Sequence, residues 1–199
     1  MIAIRAAEES DRAAVSDTLT LAFAADPIVR FWMPGATQYL HGWPRLAHAL
    51  GERGYARGTV MIASDFAAVA MWLPPGVEAD PAQMAALNLP RPAPDVEEIS
   101  RAFRAEMARH HPAEPHWYLW TLGVDPKCQG RGLGSALLKH GLARADDDGM
   151  LAYLEATSPK SAALYARHGF ETLAVIRVGD MPPMIPMLRR PRSAAAAAT

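Results

Sequence analysis

The turn Gln129-Gly130-Arg131-Gly132-Leu133-Gly134 constrains this chain more than any other segment. It separates an alternating apolar run, His116 to Val124, from a stretch whose Leu133, Leu137, Leu138, Leu142 and Ala145 share one helical face. Gly149 follows in the position where a left-handed residue commonly ends a helix. The pattern is strand, glycine turn, amphipathic helix. Glycines at alternate positions let the main chain approach a ligand closely with its N–H groups turned outward. The first turn of a helix adds unpaired donors and the positive end of the dipole. Residues 129–135 therefore read as an anion site suited to phosphate or pyrophosphate, with Arg131 available for a charge-assisted bond.

The pattern also discriminates between phosphate ligands. A nucleoside-triphosphate loop requires lysine before the serine, and Gly134 stands there instead. A dinucleotide fingerprint fits Gly130 and Gly132 but meets Ser135 at its third position, although Glu155 lies where a ribose-binding acid is expected. On the glycines alone, a tight turn without any ligand stays open as well.

Alternation continues around the turn. Ile2 to Arg5 reads as a strand, and Asp11 caps a helix carrying Val15, Leu19, Leu21 and Phe23. Pro27 and Pro34 bracket an aromatic turn region, and a helix is expected over residues 38–53. Residues 59–63 and 67–73 read as a hairpin about Ser64-Asp65. Prolines at 81, 90, 92, 94, 112 and 115 mark residues 77–115 as an insertion or lid containing one polar helix, Val96 to His110. Strands are expected over 151–155, 170–178 and 184–188, with a helix over 158–168. Pro186 marks the last strand as an edge or a bulge. The result is an α/β layered fold in one domain, residues 1–192, with a low-complexity tail at 193–199.

Half the residues are hydrophobic, enough for a substantial core. Twenty basic against twenty-one acidic residues leave no positive field to attract nucleic acid or a membrane surface. Cys128 is the sole cysteine, which excludes an internal disulfide framework and suits a reducing, cytoplasmic setting. No apolar run approaches membrane-spanning length, and Glu8 and Glu9 follow the N-terminus too closely for a secretory signal.

With these residues in view, Gln129 to Gly134 resembles the Q/R-x-x-G-x-G/A motif of the GNAT superfamily of acyl-CoA-dependent N-acetyltransferases. The strand Leu151-Ala152-Tyr153-Leu154-Glu155 and the segment Leu164-Tyr165-Ala166-Arg167-His168-Gly169-Phe170 are similar to the rest of that core. Within it, His116 to Pro126 and Leu154 to Pro159 resemble the puromycin N-acetyltransferase-like branch. The resemblance implies a mixed, mainly antiparallel central sheet flanked by helices, with a splayed parallel strand pair forming an acyl-CoA cleft. It further implies acetyl-CoA as co-substrate. The backbone of Leu122, Gly123 and Val124 would lie along the pantetheine arm. The amides of Gln129, Gly130, Arg131, Gly132, Leu133, Gly134 and Ser135 would hold the pyrophosphate. Ser161 stands where many relatives carry asparagine, and cannot offer an amide's paired donor and acceptor.

Tyr165 matches the tyrosine often assigned as general acid. A free phenol, with a pKa of about 10, is a reasonable donor to a leaving thiolate. Glu155, closing a core strand, is the other catalytic candidate, accepting the amine proton directly or through water; a salt bridge or helix-cap role is its plain structural alternative. His116 and Tyr118 are further candidates from the central strand. No metal is expected, since His110, His111 and His116 lack the ligands to complete a tetrahedral site. The expected reaction is direct attack of an amine, on a small molecule, upon acetyl-CoA. A non-catalytic acyl-CoA sensor and a protein N-acetyltransferase are the alternatives, and monomer and homodimer both stay open.

Overall fold

A computed structural model describes residues 2–77, 82, 86–87 and 94–192. The tail at 193–199 and most of 78–93 lie outside the described residues, so the expected insertion is seen through its C-terminal part. In chain order the elements are β1 (Ile4–Ala6), a 3-10 turn (Glu9–Asp11), α1 (Arg12–Phe23), α2 (Pro27–Trp32), α3 (Ala36–Tyr55), β2 (Val60–Ala63) and β3 (Ala68–Leu73). There follow α4 (Pro94–His110), β4 (His116–Val124), α5 (Leu133–Asp147), β5 (Leu151–Ala156), α6 (Pro159–Ala166), β6 (Glu171–Thr172) and β7 (Ile185–Arg189).

The strands form one seven-stranded sheet in the order β1-β2-β3-β4-β5-β7-β6. Every pairing is antiparallel except β4 with β5. That parallel pair is short: His116, Trp117 and Tyr118 face Leu151, Ala152 and Tyr153. Beyond Tyr118, β4 continues to Val124 and β5 to Ala156 with no pairing between them, so the two strands part. The sheet is thus mixed, mainly antiparallel and split by a cleft.

Alternation distributes the side chains to two helical layers. On one face Ala68, Ala70, Trp72, Ala152 and Leu154 pack with Leu133, Leu137, Leu138 and Leu142 of α5. Leu137 and Leu138 lose all measurable exposure, worth roughly 1.5–3 kcal/mol each. On the other face Val60, Ile62, Val69 and Met71 meet Val15 and Leu19 of α1 and Ala47 of α3.

One irregularity breaks this parity. Met71 pairs with Thr121 but Trp72 pairs with Leu119, leaving Trp120 as the extra residue of a β-bulge in β4. Before it, Trp117 and Leu119 face the α5 layer; after it, Leu122 and Val124 do. Gly123, on the α1 side, has no room for a side chain: an added Cβ would come within 2.8 Å of Leu19 and 2.9 Å of Ala22.

Three sequence expectations change. The segment after Asp26 is a helix rather than an aromatic turn, because the Asp26 carboxylate accepts the Ile28 and Val29 N–H groups at 3.0 Å and Pro27 occupies the first helical position. The strand expected over 170–178 is reduced to Glu171–Thr172 and an isolated bridge between Ile176 and Met184. Pro186 sits in an interior strand, between β5 and β6, not at an edge. Its carbonyl accepts the Leu173 N–H, so its nitrogen faces β6 just where the β6 pairing stops. The absent N–H therefore leaves the β5 ladder intact and denies Leu173 the return bond that would carry the β6 pairing onward.

Candidate active site

Gly130 and Gly132 carry φ of 77° and 80°, left-handed values that a side chain strains to adopt. At both, the space a Cβ would enter is open. These glycines turn the chain between Cys128 and α5 without a capping side chain. Ala136 is the first amide of α5 with a main-chain acceptor, the Gly132 carbonyl at 2.9 Å. The amides of Gln129 to Ser135 find no acceptor among the described residues. Arg131 is exposed and reaches the Lys127 carbonyl at 3.3 Å. Lys160, from the first turn of α6, lies 3.4 Å from the Gln129 side chain. The geometry is a run of unpaired main-chain donors with basic side chains beside it.

The opened edge of β4 leads to this turn. Asp125 donates its N–H to Ala67, so the antiparallel alternation directs residues 121 and 123 toward β3. Leu122 and Val124 accordingly present their main-chain groups to the cleft. The Val124 carbonyl is approached there by Gln129 Nε2 at 3.5 Å. Gly123 contributes compactness against α1, while its polar groups serve the ladder. Ser135 is tied to His168 at 3.0 Å, which joins the start of α5 to the end of α6. Ser161 is engaged in a capping box: its hydroxyl donates to the Ser158 carbonyl at 2.9 Å and accepts the Ser158 N–H at 3.2 Å.

Tyr165 lies on the α5 side, its ring against Phe170. Only 8% of the residue is exposed, yet its hydroxyl has no hydrogen-bond partner among the described residues and is not sealed from solvent. Burial, reinforced by the nearby Asp26 carboxylate, pushes the phenol well above its usual range. The group is therefore held protonated, as a proton donor must be, while being a weaker acid than a free phenol. Asp26 accepts a hydrogen bond from Thr157 at 2.5 Å, locking α2 to the end of β5. Burial raises its carboxyl, and the bonds from Thr157, Val29 and Ile28 oppose that.

Glu155 points to the opposite face. Tyr118 donates its hydroxyl to Glu155 Oε2 at 2.6 Å, and His111 Nδ1 lies 3.9 Å from Oε1. Tyr153 is buried beside them with an unpartnered hydroxyl. His111 meets His116 and Tyr153 edge to face, with ring centres 4.9 and 4.7 Å apart. Tyr165 and Glu155 therefore flank the cleft from opposite faces of the sheet. Sequence alone pointed to Tyr118 and His116 and grouped His111 with His116; it assigned no site role to Asp26, Thr157 or Tyr153, whose relations depend on tertiary contacts. His110 leaves the cluster and pairs with Glu106 at 3.4 Å. Among the described residues no three ligating side chains gather for a metal, and no helix is long and apolar enough to cross a membrane.

Comparison with known proteins agrees with this geometry. The profile described as Acetyltransferase (GNAT) family matches residues 93–170. A crystal structure from Corynebacterium glutamicum, described as histone acetyltransferase HPA2 and related acetyltransferase, is 31% identical with a TM-score of 0.68, covering 96% of this chain and 97% of that one. Arylalkylamine N-acetyltransferase 2 of Aedes aegypti has the same fold at 15% identity, with a TM-score of 0.64 and coverage of 96% and 99%. Mycothiol acetyltransferase of Saccharomonospora viridis is 36% identical over 73 residues, 32% of this chain and 24% of that protein. The match thus spans about a quarter of the length of that curated relative.

Proposed function

Because this chain belongs to the acetyltransferase (GNAT) family, we propose that it transfers an acetyl group from acetyl-CoA to a primary amine on a small molecule, by direct attack. The observation that carries the reading is the line of unpaired main-chain donors at 129–135, placed where β4 and β5 part. Two left-handed glycines with open space above them fit a bulky pyrophosphate, because a Cβ at either would enter that space.

Acetyl-CoA supplies an activated thioester carbonyl and a thiolate leaving group. The amides of Gln129 to Ser135 and the Arg131 guanidinium bind the diphosphate. The main chain of Leu122 and Val124 pairs with the pantetheine arm as an added strand would. Ser161 would reach that arm by giving up its 3.0 Å contact with the Ser158 hydroxyl. Tyr165 holds its proton at the cleft and delivers it to the departing sulfur. Glu155 supplies negative charge at the amine end, its carboxylate fixed by Tyr118.

His116 to Pro126 and Leu154 to Pro159 support kinship with the puromycin N-acetyltransferase-like branch, and the mycothiol acetyltransferase likeness supports a small-molecule acceptor. The lone Cys128 favours the cytoplasm. The test is release of free thiol from acetyl-CoA across an amine panel that includes peptides. Tyr165→Phe should lower turnover while acetyl-CoA affinity stays nearly unchanged. Full turnover in that variant would remove Tyr165 from the proton-donor role. Tight CoA binding with no thiol release from any amine would refute catalysis in favour of a sensor.

A further inference from the structure

A cavity of about 510 Å³ opens at the N-terminal half of β4. That volume suits a small organic ligand. Tyr118 and Trp120 of β4 form its floor. Tyr118 is also the last β4 residue paired to β5, so the cavity adjoins the point where the cleft begins. Its walls are Leu50 from α3, Leu73 and Pro74 at the end of β3, and Val77. Polar groups gather at one part: His111, Glu114 and His116.

His116 is the group in this array poised to take a proton. Its Nδ1 lies 2.8 Å from the Glu114 carbonyl, a partner that can only accept. Nδ1 therefore carries the hydrogen, and Nε2 presents a bare lone pair. No described residue occupies Nε2. Burial lowers the His116 pKa, and His111 adds to this; the Glu114 carbonyl bond and the Glu155 and Glu114 carboxylates oppose it. Tyr153 and Tyr118 complete the surroundings as neutral phenols held protonated by burial. Glu155 is not among the cavity-lining residues; Tyr118 and His111, which line the cavity, hold its carboxylate.

We propose that this cavity is the acceptor site, taking a primary amine carried on an apolar body and directing its nitrogen to His116. The proposal rests on the acetyl-transfer reading and specifies its second substrate. The amine nitrogen forms a bond to the acetyl carbon, and the carbon–sulfur bond breaks. The nitrogen's proton passes to His116 Nε2, where the Glu155 charge stabilises the imidazolium. The sulfur takes the Tyr165 proton, and both side chains return to their starting states by exchange with solvent. Glu114 is the sole carboxylate among the described lining residues. The further ammonium groups of a polyamine would therefore face leucine, proline, valine and tryptophan.

The experiment pairs calorimetric binding with thiol release, using 2-phenylethylamine, spermidine and a short peptide with a free N-terminus. The proteins are wild type, Val77→Asp and His116→Gln. 2-Phenylethylamine is expected to bind wild type best and to bind Val77→Asp at least about tenfold more weakly, as a charged wall would cause. His116→Gln should lose about a hundredfold in kcat with little change in KM, and lose the acid limb of the pH profile. Preference for spermidine or the peptide, or unaltered binding in Val77→Asp, would overturn the assignment. An intact acid limb in His116→Gln would overturn the role of His116. Amine binding that depends on Val77 without thiol release would support the cavity and refute acetyl transfer, so the two readings fail separately.

Discussion

Replacing Gly132 with alanine tests the anion site more directly than removing a charge would. Gly132 has φ 80° and ψ 3°, and nothing lies within 4 Å of the position its Cβ would take. The substitution therefore clashes with nothing and carries only the left-handed strain of about 1–2 kcal/mol. Alanine also narrows the unfolded ensemble, which offsets about 0.4–1 kcal/mol. The net loss of stability is about 1 kcal/mol, a fall in Tm of about 2–4 °C for a chain of this size. Gly149 is the matched control. It has φ 64°, is equally open, and lies at the far end of the same helix. Gly149→Ala should lose the same stability. Binding should separate the pair. The Gly132 methyl enters the space over the free amides, and losing one charge-assisted bond there costs about 1.5–3 kcal/mol. CoA affinity measured by calorimetry should fall about ten- to a hundredfold in Gly132→Ala and stay unchanged in Gly149→Ala. Equal CoA affinity in the two variants would show that the turn does not hold the diphosphate.

Two further predictions concern stability. Arg189 is 3% exposed and held by Asp146 through bonds of 2.7 and 2.8 Å, so Asp146→Ala leaves a buried guanidinium unpaired. Asp146 is itself 24% exposed, so the loss should be near the low end, about 3 kcal/mol, read as a Tm lower by about 6–12 °C; a Tm within a degree of wild type would refute the pairing. Arg5 and the Glu8 amide hold the Asp11 carboxyl down to about 2 from 3.8. A depressed carboxyl stabilises the fold above its unfolded pKa and loses that contribution as pH falls from 3.8 toward 2. Asp11→Asn should therefore melt below wild type at neutral pH, with the gap closing across that window, and a gap independent of pH would contradict the ion pair.

Much of the fold was legible because it depends on local pattern. The face formed by Leu133, Leu137, Leu138 and Leu142 identified α5, and the alternation from His116 to Val124 identified β4. The family resemblance supplied the split sheet. What escaped was set by tertiary partners. Asp26-Pro27 already carried a cap and a first-position proline, yet the prolines and aromatics around them suggested a turn. The chain from Leu173 onward is apolar enough for a strand, but Pro186 offers it no N–H to continue the ladder. In the site, glycines announced themselves because their backbone geometry is intrinsic. The contact between Glu155 and Tyr118 spans 37 residues and exists only through the parallel register of β4 and β5.

The extra residue at Trp120 has a consequence for how such a protein can diversify. Upstream of it, His116, Tyr118 and Trp120 turn toward one chamber; downstream, Leu122 and Val124 turn toward the helices that flank the glycine turn. The crease acts as a phase shifter in a single strand, so its two halves answer to different neighbours. Exchanging side chains in the first half can remake one compartment while the downstream main chain keeps its course. Deleting Trp120 would restore a regular ladder and leave Leu122 and Val124 on the α5 side, so the loss would fall on the chamber that Trp120 lines and not on the cleft.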